Sequence, residues 1–324
     1  MSYLLRRLGF YLLAAWVSLT LNFFIPRLAP GDPATALQQK FQGQLDPSVL
    51  AAMKVAFGIG DEPAYVQYFS YIKNLARGDL GISIAHFPAP VSEVIGTALL
   101  WTLFLAGLSV CFSFVIGTSL GIFASWRRGG LLDTVAPPFL VFVGSFPFFW
   151  LAMLLLYGGG FVMGWFPLRH AYSDTLTPQF TLSFATDALY HAALPAISIV
   201  LATMGGWLLN MRNTMIGVLS EDYVTMAMAK GLPDRDVMFR YAARNALLPS
   251  ITGFGMALGF VISGSLLTEI IFSYPGQGSL LFEAVTSRDY PLMQGLFLAI
   301  TSAVLLSNWL VDVAYVVLDP RTRR

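Results

Sequence analysis

Residues 94–126 read VIGTALLWTLFLAGLSVCFSFVIGTSLGIFASW, with no Asp, Glu, Lys or Arg anywhere in the run. A helix needs about 20 mostly apolar residues to cross the hydrocarbon core of a bilayer, with about 17 as the lower limit. This stretch is long enough to cross and to leave a loop at its end. Five further charge-free gaps of that size occur, at 8–26, 134–168, 188–211, 245–268 and 290–311. Composition agrees: hydrophobic residues are 56% of the 324-residue chain and charged residues 11%, against about 25% charged in soluble domains. So few charges cannot build a water-facing surface, and lipid must cover much of the protein. The reading predicts an all-α membrane bundle with six transmembrane helices near 8–27, 98–125, 133–157, 190–212, 249–273 and 292–317.

Basic residues orient the bundle, because cytoplasmic loops carry the excess of Lys and Arg. With the N-terminus inside, twelve lie on the cytoplasmic side: Arg6, Arg7, Arg127, Arg128, Arg212, Lys230, Arg235, Arg240, Arg244, Arg321, Arg323 and Arg324. Seven lie outside, and five of those belong to one long outer segment, where the rule counts for little. Both termini are therefore expected in the cytoplasm. Arg6-Arg7 before an apolar run also fits a signal peptide, but the run is too long for a typical h-region, and an uncleaved span is expected. Gly117/Gly121, Gly160/Gly164 and Gly255/Gly259 are GxxxG pairs that would let helix backbones approach. Pro137, Pro138 and Pro147 predict kinks in the third span.

Several chemistries are disfavoured by the pattern. Net charge is +1, which gives no hint of nucleic acid. Cys111 is the one cysteine and can form no internal disulfide, and His86, His170 and His191 show no metal-ligand spacing. No GxxxxGK[ST], HExxH or GxSxG occurs, so the chain has no P-loop and none of the common hydrolase signatures. Glu269 and Asp312 lie within or at the edge of spans, near the outer and inner face respectively. An intramembrane acid is a functional candidate by default. Both are placed close enough to the interface to reach water, Glu269 as a gate or packing residue and Asp312 in an ion pair. Asn22, Asn210, Asn213, Ser263 and Thr268 are candidates to line a polar pathway, or to hydrogen-bond between helices.

Residues 28–97 are too polar to span. Pro30-Gly31-Asp32-Pro33 reads as a turn, Asp46-Pro47 as a helix start with Gly58 as its stop, and Pro63 as a second start. Tyr65, Tyr68, Phe69, Ile72 and Leu75 follow one helical face. Arg77-Gly78-Asp79 breaks that helix. The segment is either a cap resting on the bundle or a docking or gating element.

The loop 213–248, between the fourth and fifth predicted spans, holds the most informative stretch. Ser220 is placed as an N-cap, with Glu221 and Asp222 in the positively polarised first turn and Lys230 in the last. Gly231 supplies a left-handed stop and Pro233 prevents continuation. A helix over 221–230 is about 15 Å long, presents Tyr223, Val224, Met226, Ala227 and Met228 with few charges, and is marginal alone in water. It needs a covering surface, either its own bundle or a partner.

The run Glu221-Asp222-Tyr223-Val224-Thr225-Met226-Ala227-Met228-Ala229-Lys230-Gly231-Leu232, followed by Arg244-Asn245-Ala246-Leu247-Leu248-Pro249, resembles the EAA loop of ATP-binding-cassette importer permeases. With the family glycine on Gly231, its Glu-Ala-Ala falls on Thr225, Met226 and Ala227, so the acidic residue and first alanine are absent, and the distance to Pro249 exceeds the simple consensus. Both departures resemble the peptide-transport branch, whose version reads Asp-Tyr-Val…Ala-Lys-Gly. Pro30-Gly31-Asp32-Pro33, Gly78-Asp79-Leu80-Gly81-Ile82-Ser83, Glu269-Ile270-Ile271-Phe272-Ser273-Tyr274-Pro275-Gly276-Gln277-Gly278, Arg288-Asp289-Tyr290-Pro291 and Leu318-Asp319-Pro320-Arg321 are similar to motifs of that branch, with Gln277 where leucine is common.

The resemblance implies a single permease domain over 1–324 in a bacterial or archaeal inner membrane. It implies a coupling helix seated in a groove on an ATPase subunit, with Glu221, Asp222, Tyr223, Thr225, Met226, Ala227, Lys230 and Gly231 as coupling residues and Ala227 placed at the contact. The implied partners are a second permease or a copy of this one, two ATPases or one fused ATPase holding ATP and Mg, and an extracytoplasmic binding protein. The expected cargo is di- or oligopeptides, with oligosaccharides, opines or chelated nickel carried by relatives. It also turns the reading of 28–97 towards docking or gating. The rival classes fit less well: a secondary transporter would carry inverted repeats and paired intramembrane charges, and an intramembrane enzyme would need a catalytic set.

Overall fold

The computed structural model describes residues 2–28, 57, 62–261 and 265–318. The Pro30–Pro33 turn, the Asp46-Pro47 helix start, its Gly58 stop, Ser263 and the closing Asp319-Pro320-Arg321 lie outside the described residues. Four helices are long and apolar enough to cross a membrane. These are α1 (Ser2–Leu28), which contributes Arg7–Leu28, α3 (Val91–Trp126), α6 (Leu182–Leu219) and α11 (Tyr290–Leu318), which contributes Tyr290–Trp309. A fifth is reached if α4 (Leu131–Gly144) and α5 (Phe148–Leu155, continued as a π-helix to Val162) count as one broken span. The predicted fifth stretch, 249–273, is held by α8 (Arg244–Phe260) and α9 (Leu266–Ile271), on either side of 262–264. Six spans is therefore one more than the described residues supply. Shorter helices among the described residues include α2 (Ala64–Ala76), α7 (Asp222–Ala229) and α10 (Gln277–Thr286), with the single turn Asp234–Asp236 and a π-helix, Val237–Ala243, following α7.

Four predicted spans grow at both ends, and α6 shows why. Charge-free length stops at Asp187 and Arg212, but a helix ends where its backbone is capped, and both charges are paired in place. Asp187 accepts the Ser173 N–H and hydroxyl, each at 2.7 Å, and Arg212 donates to Asp133. The true limits are Thr181, whose Oγ1 accepts the Phe184 N–H at 3.3 Å, and Ser220, the C-cap residue. The result is about 57 Å of helix. The third predicted span breaks at one of its three prolines only. Pro137 and Pro138 sit inside α4, whereas Pro147 adopts ψ 129° and becomes the N-cap of α5, so the axis turns by 96°.

The chain divides into two compact units. In the first, residues 1–102, 262–266 and 275–324, α1 packs on α11, and Val91, Ile95 and Ala98 of α3 close a core with Leu280, Ala284, Leu292 and Leu296. A Cβ on Gly295 would lie 2.5 Å from Val91 Cγ1, so any larger residue would have to displace that side chain. In the second, residues 103–261 and 267–274, α6 is central. A Cβ on Gly117 would meet the Met204 carbonyl oxygen at 2.6 Å, and one on Gly121 the Leu208 carbonyl oxygen at 2.7 Å, so this GxxxG pair is a true helix crossing. The other two are not. Gly164 takes φ +64° in a turn, and a Cβ on Gly255 would meet nothing within 4 Å.

Candidate coupling site

α7 is two residues shorter than the predicted 221–230 helix, and its cap differs. Ser220 closes α6 instead, its hydroxyl donating to the Gly217 carbonyl at 2.7 Å. Glu221 takes the N-cap position with ψ 145°, and its carbonyl accepts the Val224 N–H at 3.0 Å. Ser220 was unavailable because α6 runs seven residues beyond Arg212. The stop matches expectation. Lys230 is the C-cap, Gly231 has φ +73°, and Pro233 N-caps the following turn, Asp234–Asp236. The Gly231 N–H donates to the Met228 carbonyl at 2.9 Å and the Leu232 N–H to that of Ala227 at 3.4 Å. From there a π-helix, Val237–Ala243, leads into α8.

Two residues of α7 point inward. Val224 and Ala227, one turn apart, are buried among Ile122, Met211, Met215, Val237, Met238 and Ala243. Ala227 therefore packs on its own chain. Glu221, Asp222, Tyr223, Thr225, Met226, Met228, Ala229 and Lys230 are exposed. The outward face thus carries Tyr223, Met226 and Met228, large apolar side chains that cost free energy in water. Tyr223 is held in place, its phenol oxygen accepting from Asn245 Nδ2 at 2.8 Å. The two halves of the motif, 221–232 and 244–249, so meet through a side-chain contact.

The interior candidates separate. Asn210 donates from Nδ2 to the hydroxyl of buried Ser250 at 3.1 Å, tying α6 to α8. Thr268 and Glu269 are both fully buried, so Glu269 does not reach water as expected from its place near the outer end of a span. Its carbonyl accepts the Tyr274 N–H at 2.7 Å. Ser263 lies outside the described residues. Asp312 is ion-paired, as expected, and its mate is Arg7 at 2.8 Å, with the Tyr11 hydroxyl on the same oxygen.

Residues 117–324 match the family described as "Binding-protein-dependent transport system inner membrane component". The chain belongs to that family. It is 34% identical over 306 residues to an oligopeptide transport system permease protein, AppB, of Bacillus subtilis, covering 93% of this chain and 92% of the relative. It is 34% identical over 337 residues to a di/tripeptide transport system permease protein, DppB, of Pseudomonas aeruginosa, covering 100% and 99%. A glutathione transport system permease protein, GsiC, of Salmonella choleraesuis is 32% identical over 323 residues. The chain is thus a permease subunit of an ATP-binding-cassette importer, a multi-pass membrane protein whose ATPase is a separate subunit.

One feature of the permease escaped the sequence reading. Asp289 is fully buried. Its Oδ2 accepts the Ser83 hydroxyl at 2.5 Å and the Ala85 N–H at 2.9 Å, while Oδ1 accepts the Leu292 N–H at 3.0 Å. A Cβ on Gly81 would touch Pro291 at 3.7 Å, and His86 lies 3.3 Å from Glu283. The motifs Gly78–Ser83 and Arg288–Pro291, quoted separately from the sequence, are therefore one site. Nothing in the sequence pairs residues 206 positions apart.

Proposed function

We propose that this permease forms half of the translocation pathway of a peptide importer, with a second similar permease forming the other half. The observation that carries the reading is α7 itself: a glycine-stopped helix whose Val224 and Ala227 lock it to its own chain while Tyr223, Met226 and Met228 stand outward. A rigid helix with an uncovered apolar face is suited to a groove on an ATPase subunit. Movement of that subunit on binding ATP then draws the two coupling helices together and turns the pathway from inward- to outward-facing. A binding protein releases cargo into the open cavity. Peptide cargo is supported by three relatives named for oligopeptides, di/tripeptides and glutathione, itself a tripeptide.

The exposed side of α6 supports a pathway wall. Between residues 198 and 219 its exposed positions are Thr203, Gly206, Asn210, Asn213 and Gly217. None is a large apolar residue, whereas α3 exposes Phe112, Val115 and Phe123. Lipid favours the second kind of surface and not the first. The topology completes the proposal: six spans, the fifth near 249–273, with 28–97 outside, 213–248 inside and both termini cytoplasmic. The test is ATP-driven uptake of labelled di- and oligopeptides into vesicles holding this permease, its partner permease, their ATPases and the binding protein. Uptake of peptides is expected. Uptake of an oligosaccharide, an opine or a nickel chelate in their place would overturn the cargo, and uptake without ATP would overturn the class.

A further inference from the structure

Two isolated charges meet in the second unit. Asp133 is the one charged residue between Gly129 and Leu168, and Arg212 the one between Asp187 and Glu221, counting Asp, Glu, Lys and Arg. Asp133 is the one charged residue of α4, and Arg212 lies 25 positions from Asp187 on α6; Arg212 Nε donates to Asp133 Oδ1 at 2.5 Å. The second carboxylate oxygen accepts the Gly129 N–H at 3.0 Å, which fastens the short turn between α3 and α4. The Asp133 side chain is 7% exposed. A charge held at the edge of a membrane helix is costly without its mate.

The surroundings give the pair a task. Leu131, Leu132, Thr134 and Val135, which flank Asp133 in α4, are all exposed, and the first buried residue of the helix is Pro137. Packing against α6 begins further along, where the Leu140 carbonyl oxygen would lie 3.0 Å from a Cβ on Gly205. Apolar contact therefore does not hold the first turn and a half of α4, and the ion pair does. On the other side, Arg212 is bracketed by Met211 and Met215, both fully buried in the core that contains Val224 and Ala227 of α7. Its backbone nitrogen would lie 3.1 Å from a Cβ on Gly121, so its position is set by close packing on α3.

We propose that Asp133–Arg212 is the clasp that makes the near end of α4 follow the coupling helix, so that displacement of α7 reaches the broken span α4–α5. Both are positioning residues, and the inference rests on the coupling role proposed above for α7. A charge-assisted hydrogen bond suits this task, because it resists separation more strongly than a neutral one.

The test uses the complete complex of both permeases, the ATPases and the binding protein in vesicles, with Asp133→Asn, Arg212→Gln and the exchange Asp133→Arg/Arg212→Asp. Assembly and cargo-stimulated ATP hydrolysis should be retained in the single variants. Peptide imported per ATP should fall about tenfold, within the range by which one link shifts coupling between sites, and the exchange should restore it. A second measurement does not depend on the cargo. Spin labels at Leu132→Cys and Thr225→Cys, in a Cys111→Ser background, should keep one separation between the nucleotide-free and ATP-trapped states, and should lose it in Asp133→Asn. An unchanged import-to-hydrolysis ratio, or a proportional fall in assembly, hydrolysis and import that the exchange does not repair, would overturn the clasp. So would a label separation indifferent to Asp133→Asn. Failure of the wild-type complex to import any peptide would instead count against the function, while the label separation still decides the clasp.

Discussion

Replacing Gly231 should uncouple the permease in proportion to how strongly the new residue resists positive φ. At φ +73° the backbone is in the left-handed region, where a non-glycine residue costs about 1–3 kcal/mol. A Cβ at this position would meet nothing within 4 Å, so the whole penalty is conformational. Asparagine, which tolerates this region, belongs near the lower limit, alanine between, and β-branched valine near the upper. The bonds at stake are those closing α7, from Gly231 N–H to Met228 and from Leu232 N–H to Ala227. A cost of about 2 kcal/mol reduces the closed geometry about 30-fold relative to an unwound end. Membrane insertion should be untouched, since no apolar span includes the residue. The assay is copurification of the ATPase subunits together with ATP-driven uptake, expected to fall in the order Gly231→Asn, Gly231→Ala, Gly231→Val. Normal assembly and uptake in Gly231→Val, or equal loss in all three, would refute the reasoning.

Four further outcomes are expected, three from the described contacts and one from the topology. Met226→Arg, at a side chain that is 59% exposed, should leave the permease at its normal membrane level and abolish ATPase copurification. Ala227→Arg, at 3% exposure, should lower the membrane level itself, because a buried unpaired charge is costly; the opposite pattern would invert the assigned faces. Asp289→Asn places an amide opposite the Ser83 and Ala85 donors and should cost about 1–3 kcal/mol, seen as faster amide hydrogen exchange at 83–86, with unchanged exchange as the contrary result. For topology, a reporter after Arg324 should be cytoplasmic and a cysteine at Gln42 should react with an impermeant reagent from outside; a cytoplasmic Gln42 would reverse the orientation.

The lengths of charge-free sequence located every long helix, because a bilayer sets one thickness and a helix one rise per residue. Gly231 and Pro233 marked the end of α7 correctly, since a stop depends on φ preferences of one or two residues and on nothing distant. Caps at the start of an element were less legible. Ser220 looked free to cap α7 until α6 proved long enough to claim it.

Which side of α7 faces inward was decided by the tertiary structure. Val224, Ala227, Tyr223 and Met226 are all apolar enough to be buried, and only the placement of Met211, Met215 and Val237 selects two of them. The same holds for the charges. Asp133, Asp289 and Asp312 each carry an ordinary carboxylate in sequence, and their mates lie 79, 206 and 305 positions away. The bend at Pro147 rather than at Pro137 or Pro138 also needed the structure, since a proline inside an apolar run permits a kink and packing decides whether it occurs. Local backbone preference and membrane thickness act within a few residues or along one helix, so the sequence alone expresses them. Mutual burial and charge pairing act between helices, and they exist only once the chain has brought those helices together.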